Sequence, residues 1–313
     1  MKQSTRVLAA GLAVSMVCPL GPGPVDGGSA GWTGVFGPGS ALAQQRGRRA
    51  RYKAGPVENG GTIRGVVSWT GDIPEAAGVQ IPLAGAHQTG CSCKQVGLDR
   101  LIIDEKSGGV CDAVVYLDGI PAGKALPERD IDFMTGQKAK LDQVNCRYTP
   151  HMMVVRRGST LAITSSDNVL HTVHALMGIN DLFNLAFPVK GQVKDDPSQT
   201  NIGRRPGIIS LKCTAGHFWM NGTIFAVDHP YYRVTDNEGR FELTDVPPGE
   251  YTLKIWHENW EHRLLKSPAG QVAGVFFRGP VGLEQKVKVE AGKTADLKFD
   301  LSKAESLRRR SSR

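Results

Sequence analysis

The feature that most constrains this chain is the shape of its apolar runs. Gly65-Val66-Val67-Ser68-Trp69, Ala113-Val114-Val115-Tyr116-Leu117, Thr160-Leu161-Ala162-Ile163-Thr164 and Thr223-Ile224-Phe225-Ala226-Val227 are short and end at Gly, Pro, Asp or Asn. No window of helical length sustains a 3.6-residue period, so the chain must bury its apolar surface through strands. A chain of strands without helices to cover them closes into sandwiches or barrels. The 38 Gly and 18 Pro among 313 residues supply the turns such a fold needs. The expected class is all-β.

The formal charge of +8 suggests a nucleic-acid partner only until it is located. Residues 54–302 carry 26 basic and 28 acidic side chains, so the body is slightly acidic and the excess lies at the two ends. A basic binding face is therefore not expected, and neither is nucleic acid. Lys2 and Arg6 precede an apolar run from Val7 to Val17, and Ala41-Leu42-Ala43 offers a cleavage site. That is the pattern of an export signal over 1–43, followed by a basic linker over 44–56. The expectation is a periplasmic or secreted protein with no transmembrane segment in the mature chain. A basic tail, 303–313, closes the sequence.

Two separated segments share one style. Gly61-Thr62-Ile63-Arg64-Gly65-Val66-Val67 opens the first. The second runs through Thr235-Asp236-Asn237-Glu238-Gly239-Arg240-Phe241-Glu242-Leu243 and Val246-Pro247-Pro248-Gly249-Glu250-Tyr251-Thr252-Leu253. Phe241 with Leu243, and Tyr251 with Leu253 and Ile255, alternate so that one face is apolar. These segments resemble the two halves of a carboxypeptidase regulatory-like, prealbumin-type β-sandwich, a fold of the carbohydrate-binding-like kind. The resemblance implies a discontinuous domain over 57–109 and 230–302, with a separate domain over 110–229 between its halves.

The middle segment carries the chemistry. Asp167-Asn168-Val169-Leu170-His171-Thr172-Val173-His174 is followed, some forty residues on, by Cys213-Thr214-Ala215-Gly216-His217-Phe218-Trp219-Met220. A mononuclear electron-transfer copper takes one thiolate, two imidazoles and a weak axial thioether. One loop holding Cys, His and Met, with a His arriving from a neighbouring strand end, can supply that set. His171 and His174 compete for the upstream position, because a three-residue spacing puts them on opposite faces of a strand.

The run from Pro150-His151 through Gly158, Leu161, Ile163 and Asp167 to His171, with the Cys213 loop, resembles the cupredoxins, in particular amicyanin and plastocyanin. The full order of motifs is also similar to exported bacterial proteins of the methylamine-utilisation type. The resemblance implies a Greek-key β-sandwich or barrel. It also implies one type 1 (blue) copper held by His171, Cys213, His217 and Met220, and one-electron transfer. Three residues separate Cys213 from His217, where amicyanin and plastocyanin have two and azurin four; the two between His217 and Met220 match amicyanin. The resemblance further implies docking through an apolar patch beside the loop His, with Phe218 and Trp219 as candidates. The partner would be an exported redox protein, a cytochrome or a dehydrogenase.

An enzyme is not expected. No His flanks Cys213, no His-x-His pair could build a multinuclear centre, and a four-ligand site leaves no open position. Cys91, Cys93, Cys111 and Cys146 are left as disulfide candidates in an oxidising compartment. His151, five residues after Cys146, could join Cys91 and Cys93 in a weaker second metal set. Two other readings stay open. One is copper handling by the same ligands, which carry or store Cu(I). The other is a non-redox envelope or carbohydrate-binding scaffold, with Trp256 and Trp260 stacking on sugars.

Overall fold

The computed structural model describes residues 51–75, 80–82, 95–98 and 100–307. The export signal, most of the linker, Cys91, Cys93 and the last six residues lie outside the described residues. The described residues make one compact unit. Its elements are overwhelmingly strands, as the runs predict, and no described helix is long and apolar enough to cross a membrane.

Four of its sheets stack as two pairs. In the first, a four-stranded sheet runs in the order Val193–Lys194, Ala162–Thr164, Lys140–Val144, Arg147–Thr149. It faces a five-stranded sheet in the order Asn180–Phe187, His171–Met177, Gly207–Lys212, Asn221–Val227, Met152–Arg156. Leu141, Ile163, Val173, Ile209, Leu211 and Ile224 fill the space between them. In the second pair, a three-stranded sheet joins Arg240–Val246, Gly61–Ser68 and Thr294–Asp300. Its partner sheet is built on Val114–Asp118, Gly249–His257 and Val281–Val289. Ile63, Leu117, Leu243, Leu253 and Ile255 form that core, so the expected alternation at Leu243, Leu253 and Ile255 holds. The Pro247-Pro248 turn carries the chain from one of these sheets to the other, and Tyr251 Oη donates to the Pro247 carbonyl at 2.9 Å.

A third core joins the pairs. Met152, Val154, Phe225 and Val227 on the outer face of the five-stranded sheet meet Val114, Val234 and Trp256. This is why Asn221–Val227 is buried at nearly every position and reads as an unbroken apolar run rather than an alternating one. It also moves a boundary. Val114–Asp118, expected within the 110–229 domain, pairs with Gly249–His257 and Tyr232–Val234 and belongs to the second sandwich. Conversely, the hairpin of His262–Lys266 and Val272–Phe277 lies in the 230–302 segment, yet packs Leu264, Val272, Val275 and Phe277 on the first core.

Candidate metal centre

His171 opens the strand His171–Met177, where Val173 and Ala175 share its inward face. His174 points the other way, and its Nε2 meets Asp181 Oδ1 at 2.5 Å. Strand periodicity therefore separates the two histidines as expected, and it is His171 that reaches the loop. Cys213 follows Gly207–Lys212 directly, and Met220 directly precedes Asn221–Val227. These strands are hydrogen-bonded neighbours, so the segment between them closes as a short loop. Cys213 N donates to Met220 O at 3.2 Å, and Met220 N donates to His217 O at 2.9 Å. Gly216 makes the turn possible at φ +92, a conformation costly for residues with a Cβ.

The loop delivers its donors to His171. His171 Nδ1 lies 3.3 Å from His217 Nδ1, and Cys213 Sγ lies 3.6 Å from His217 Nδ1. A trigonal ion with bonds of about 2.0–2.3 Å holds its donors roughly 3.5 Å apart, so this spacing fits a metal. His171 is 0% exposed, His217 3%, Cys213 7% and Met220 2%. The donor set is soft on the sulfur side and imidazole on the other, the combination that suits copper.

The surroundings prepare the set for a cation. Asp167, a residue given no role from the sequence, accepts from His171 Nε2 at 2.9 Å, which directs Nδ1 toward the loop. Its carboxylate also takes the backbone N–H groups of Asn145 and Cys146, each at 2.8 Å. Burial opposes charge on the His171 ring, but hydrogen bonds to Cys213 and Asp167 outweigh it and raise its pKa. Burial would likewise raise the Cys213 thiol. Hydrogen bonds from His171, His217 and the backbone of Thr172 and Ala215 prevail and hold it down to about 5. Thr172 supplies its N–H at 3.4 Å and its hydroxyl at 3.7 Å. The Asp167 carboxylate four residues before His171 was the available signal, but sequence spacing alone does not fix where a loop carboxylate turns.

The docking expectation is corrected at Trp219. That ring is 4% exposed, packs edge-on to His217 at 5.3 Å, and donates Nε1 to the Cys146 carbonyl at 3.2 Å. It lies beneath the loop rather than on a surface. Phe218 is half-buried against the same core. The disulfide expectation is corrected at Cys111, which is a free thiol beside Thr235 and Asn237. Cys146 is disulfide-bonded, to a partner outside the described residues, and Cys213 is free.

His151 does not serve a second metal set among the described residues. Its Nε2 meets Glu258 Oε2 at 2.8 Å, and Thr223 Oγ1 donates to the other Glu258 oxygen at 2.5 Å. Arg100 joins the same carboxylate at 3.5 Å and donates to Asn221 Oδ1 at 2.8 Å. Trp256 is 6% exposed, in the core between the sandwiches, and Trp260 sits edge-on to Trp69 at 5.0 Å, so they present no paired sugar-stacking surface.

No protein-family model matches the chain, and no curated protein sequence matches it. Solved structures that overlap it include a purple cupredoxin from Nitrosopumilus maritimus, at 14% identity over 29% of this chain and 100% of that one, TM-score 0.23. An amicyanin variant in the Cu(I) state overlaps at 18% identity, 33% of this chain and 97% of that one, TM-score 0.24. A copper-containing nitrite reductase from Thermus scotoductus SA-01 overlaps at 15% identity over 30% of this chain and 23% of that one, TM-score 0.23. At these scores the ligand set rests on the geometry of the chain itself.

Proposed function

We propose that this is an exported copper protein whose single type 1 site, His171, Cys213, His217 and Met220, carries one electron at a time. The observation that carries the reading is the buried cluster of two Nδ1 atoms and one Sγ, in which His217 Nδ1 lies 3.3 Å from His171 Nδ1 and 3.6 Å from Cys213 Sγ. Bound copper supplies one-electron Cu(II)/Cu(I) chemistry. Cys213 would contribute a thiolate already favoured by its neighbours, His171 and His217 the imidazoles, and Met220, buried in the same core, a thioether. Burial of all four side chains excludes water and leaves no open coordination position, which supports electron transfer over catalysis. Electrons would pass to and from another exported redox protein, a cytochrome or a dehydrogenase. The second sandwich is assigned to the carboxypeptidase regulatory-like class and a scaffold role.

One observation favours a second reading. His217 and Trp219 are covered, so the edge through which a docked partner would exchange electrons is closed, and a closed soft site also suits Cu(I) handling. Anaerobic copper titration with metal analysis separates the readings. Electron transfer requires one copper per chain and an intense visible thiolate-to-copper band that bleaches reversibly on reduction and vanishes in Cys213→Ser. Stable Cu(I) binding with no accessible Cu(II) state supports handling. Absence of stoichiometric copper defeats both.

A further inference from the structure

Two sulfurs, not one, flank the imidazole pair. Cys213 Sγ stands 3.6 Å from His217 Nδ1, and the donor atoms of Cys146, His171 and His217 all lie within 4.8 Å of one another. Cys146 is bridged in a disulfide, so its sulfur is not available as a thiolate. Its backbone, at a left-handed φ of +56, is also held by hydrogen bonds that do not involve the bridge. Cys146 N donates to Asp167 at 2.8 Å, its carbonyl accepts from Trp219 at 3.2 Å, and the residue is 0% exposed. With the bridge open those hydrogen bonds remain available to hold the backbone, and rotation about χ1 can bring the sulfur toward the imidazoles. A thiolate buried at that place needs a cation beside it, and the nearest place for one is between the two imidazoles.

We infer that Cys146 is a latent second thiolate ligand of this site, withheld as a disulfide and released by a dithiol reductant. The inference rests on the metal reading above. A reductant thiolate attacks the bridge sulfur of the partner cysteine, the S–S bond breaks, and Cys146 leaves as thiolate. The second thiol of the reductant then closes its own disulfide and frees the partner cysteine. Two electrons and two protons pass from the dithiol to the bridge. On metal binding Cys146 coordinates as thiolate and its proton goes to solvent. One thiolate with two imidazoles suits an ion that cycles between oxidation states, whereas a second thiolate favours a soft ion such as Cu(I) that stays bound. The bridge thus decides between the two functions proposed for one site.

Cadmium tests this without copper redox chemistry, because its thiolate charge-transfer absorbance counts sulfur ligands. The full mature chain is loaded with one equivalent of Cd(II), and its bridge is then opened with a phosphine and confirmed open by thiol counting. The band is expected to rise about twofold, and competition with a chelator to show at least tenfold tighter binding. In Cys213→Ser, oxidised protein should give no band and reduced protein a one-thiolate band. Cys146→Ser should give a one-thiolate band with or without reductant. An unchanged band after the bridge opens overturns the inference, as does a two-thiolate band in unreduced Cys146→Ser, since the partner cysteine, freed by the substitution, would then be the ligand. Absence of a band in oxidised wild type defeats the metal reading of Cys213 instead, and the increment on reduction still decides the role of Cys146. Primary weight falls on wild type, whose fold does not depend on a substitution.

Discussion

At the scale of single residues, the site is a thiolate and two imidazoles held in place by groups that are not ligands. Four hydrogen-bond donors lower the Cys213 pKa to about 5 against the effect of burial, so the metal-free protein should show a thiolate at ordinary pH. Ultraviolet titration of thiolate absorbance, taken as wild type minus Cys213→Ser, should give a midpoint near 5. A midpoint in the usual thiol range of about 8.5 would contradict the hydrogen-bonding account. Asp167 is the positioning residue for His171, through one 2.9 Å bond that leaves Nδ1 to face the loop. Loss of such an outer partner weakens metal binding by roughly 10- to 100-fold. Asp167→Ala should show that loss in a competition titration, and Asp167→Asn, which can still accept a hydrogen bond, should restore part of it. The His171 ring nitrogen shifts should move in the alanine variant, a readout that a fold-only role would leave alone.

At the scale of elements, the strand Asn221–Val227 does two jobs. Its inward residues, such as Ile224, seal the first core, and its outward residues join the second sandwich. Phe225 is 5% exposed and meets Trp256 edge-on at 5.0 Å. Truncating a buried Phe costs about 3–5 kcal/mol, part of it for the cavity left behind. Phe225→Ala should lower denaturant stability by that amount. Because Met220 immediately precedes this strand, the same variant should also loosen the loop and lower copper affinity, as followed by titration. The Cys213 loop was visible in the sequence because its donors are adjacent and its flanking runs are strand-like. The hairpin of His262–Lys266 and Val272–Phe277 was not, because nothing in its own residues says that Phe277 will lie 3.6 Å beneath the Arg100 guanidinium.

At the scale of the whole molecule, an ion cluster ties the two sandwiches together. Glu258, on the second, binds His151 and Thr223 on the first. Burial works against both charges, yet Glu258 raises the His151 pKa, and His151 with Arg100 holds Glu258 well below the usual carboxylate range. A raised histidine contributes stability that is full below its unfolded value of about 6.5 and is lost as pH rises through the higher folded value. The stability difference between wild type and His151→Gln should therefore be largest below pH of about 6.5 and shrink as pH rises. Denaturant midpoints across that range check it, and a difference that grows with pH would reverse the assignment. Taking the difference also cancels His257, whose lowered value has the opposite slope. The all-β class, the alternating faces at Leu243 and Leu253, and the short segment carrying Cys213, His217 and Met220 were legible in the sequence, because each is set by neighbours a few residues apart. That Val114–Asp118 joins the second sandwich, that Trp219 lies under the loop, and that Asp167 and Cys146 stand beside the imidazoles emerged with the folded chain. Those outcomes depend on contacts between segments distant in sequence, where burial and hydrogen bonding select one arrangement that local pattern leaves open.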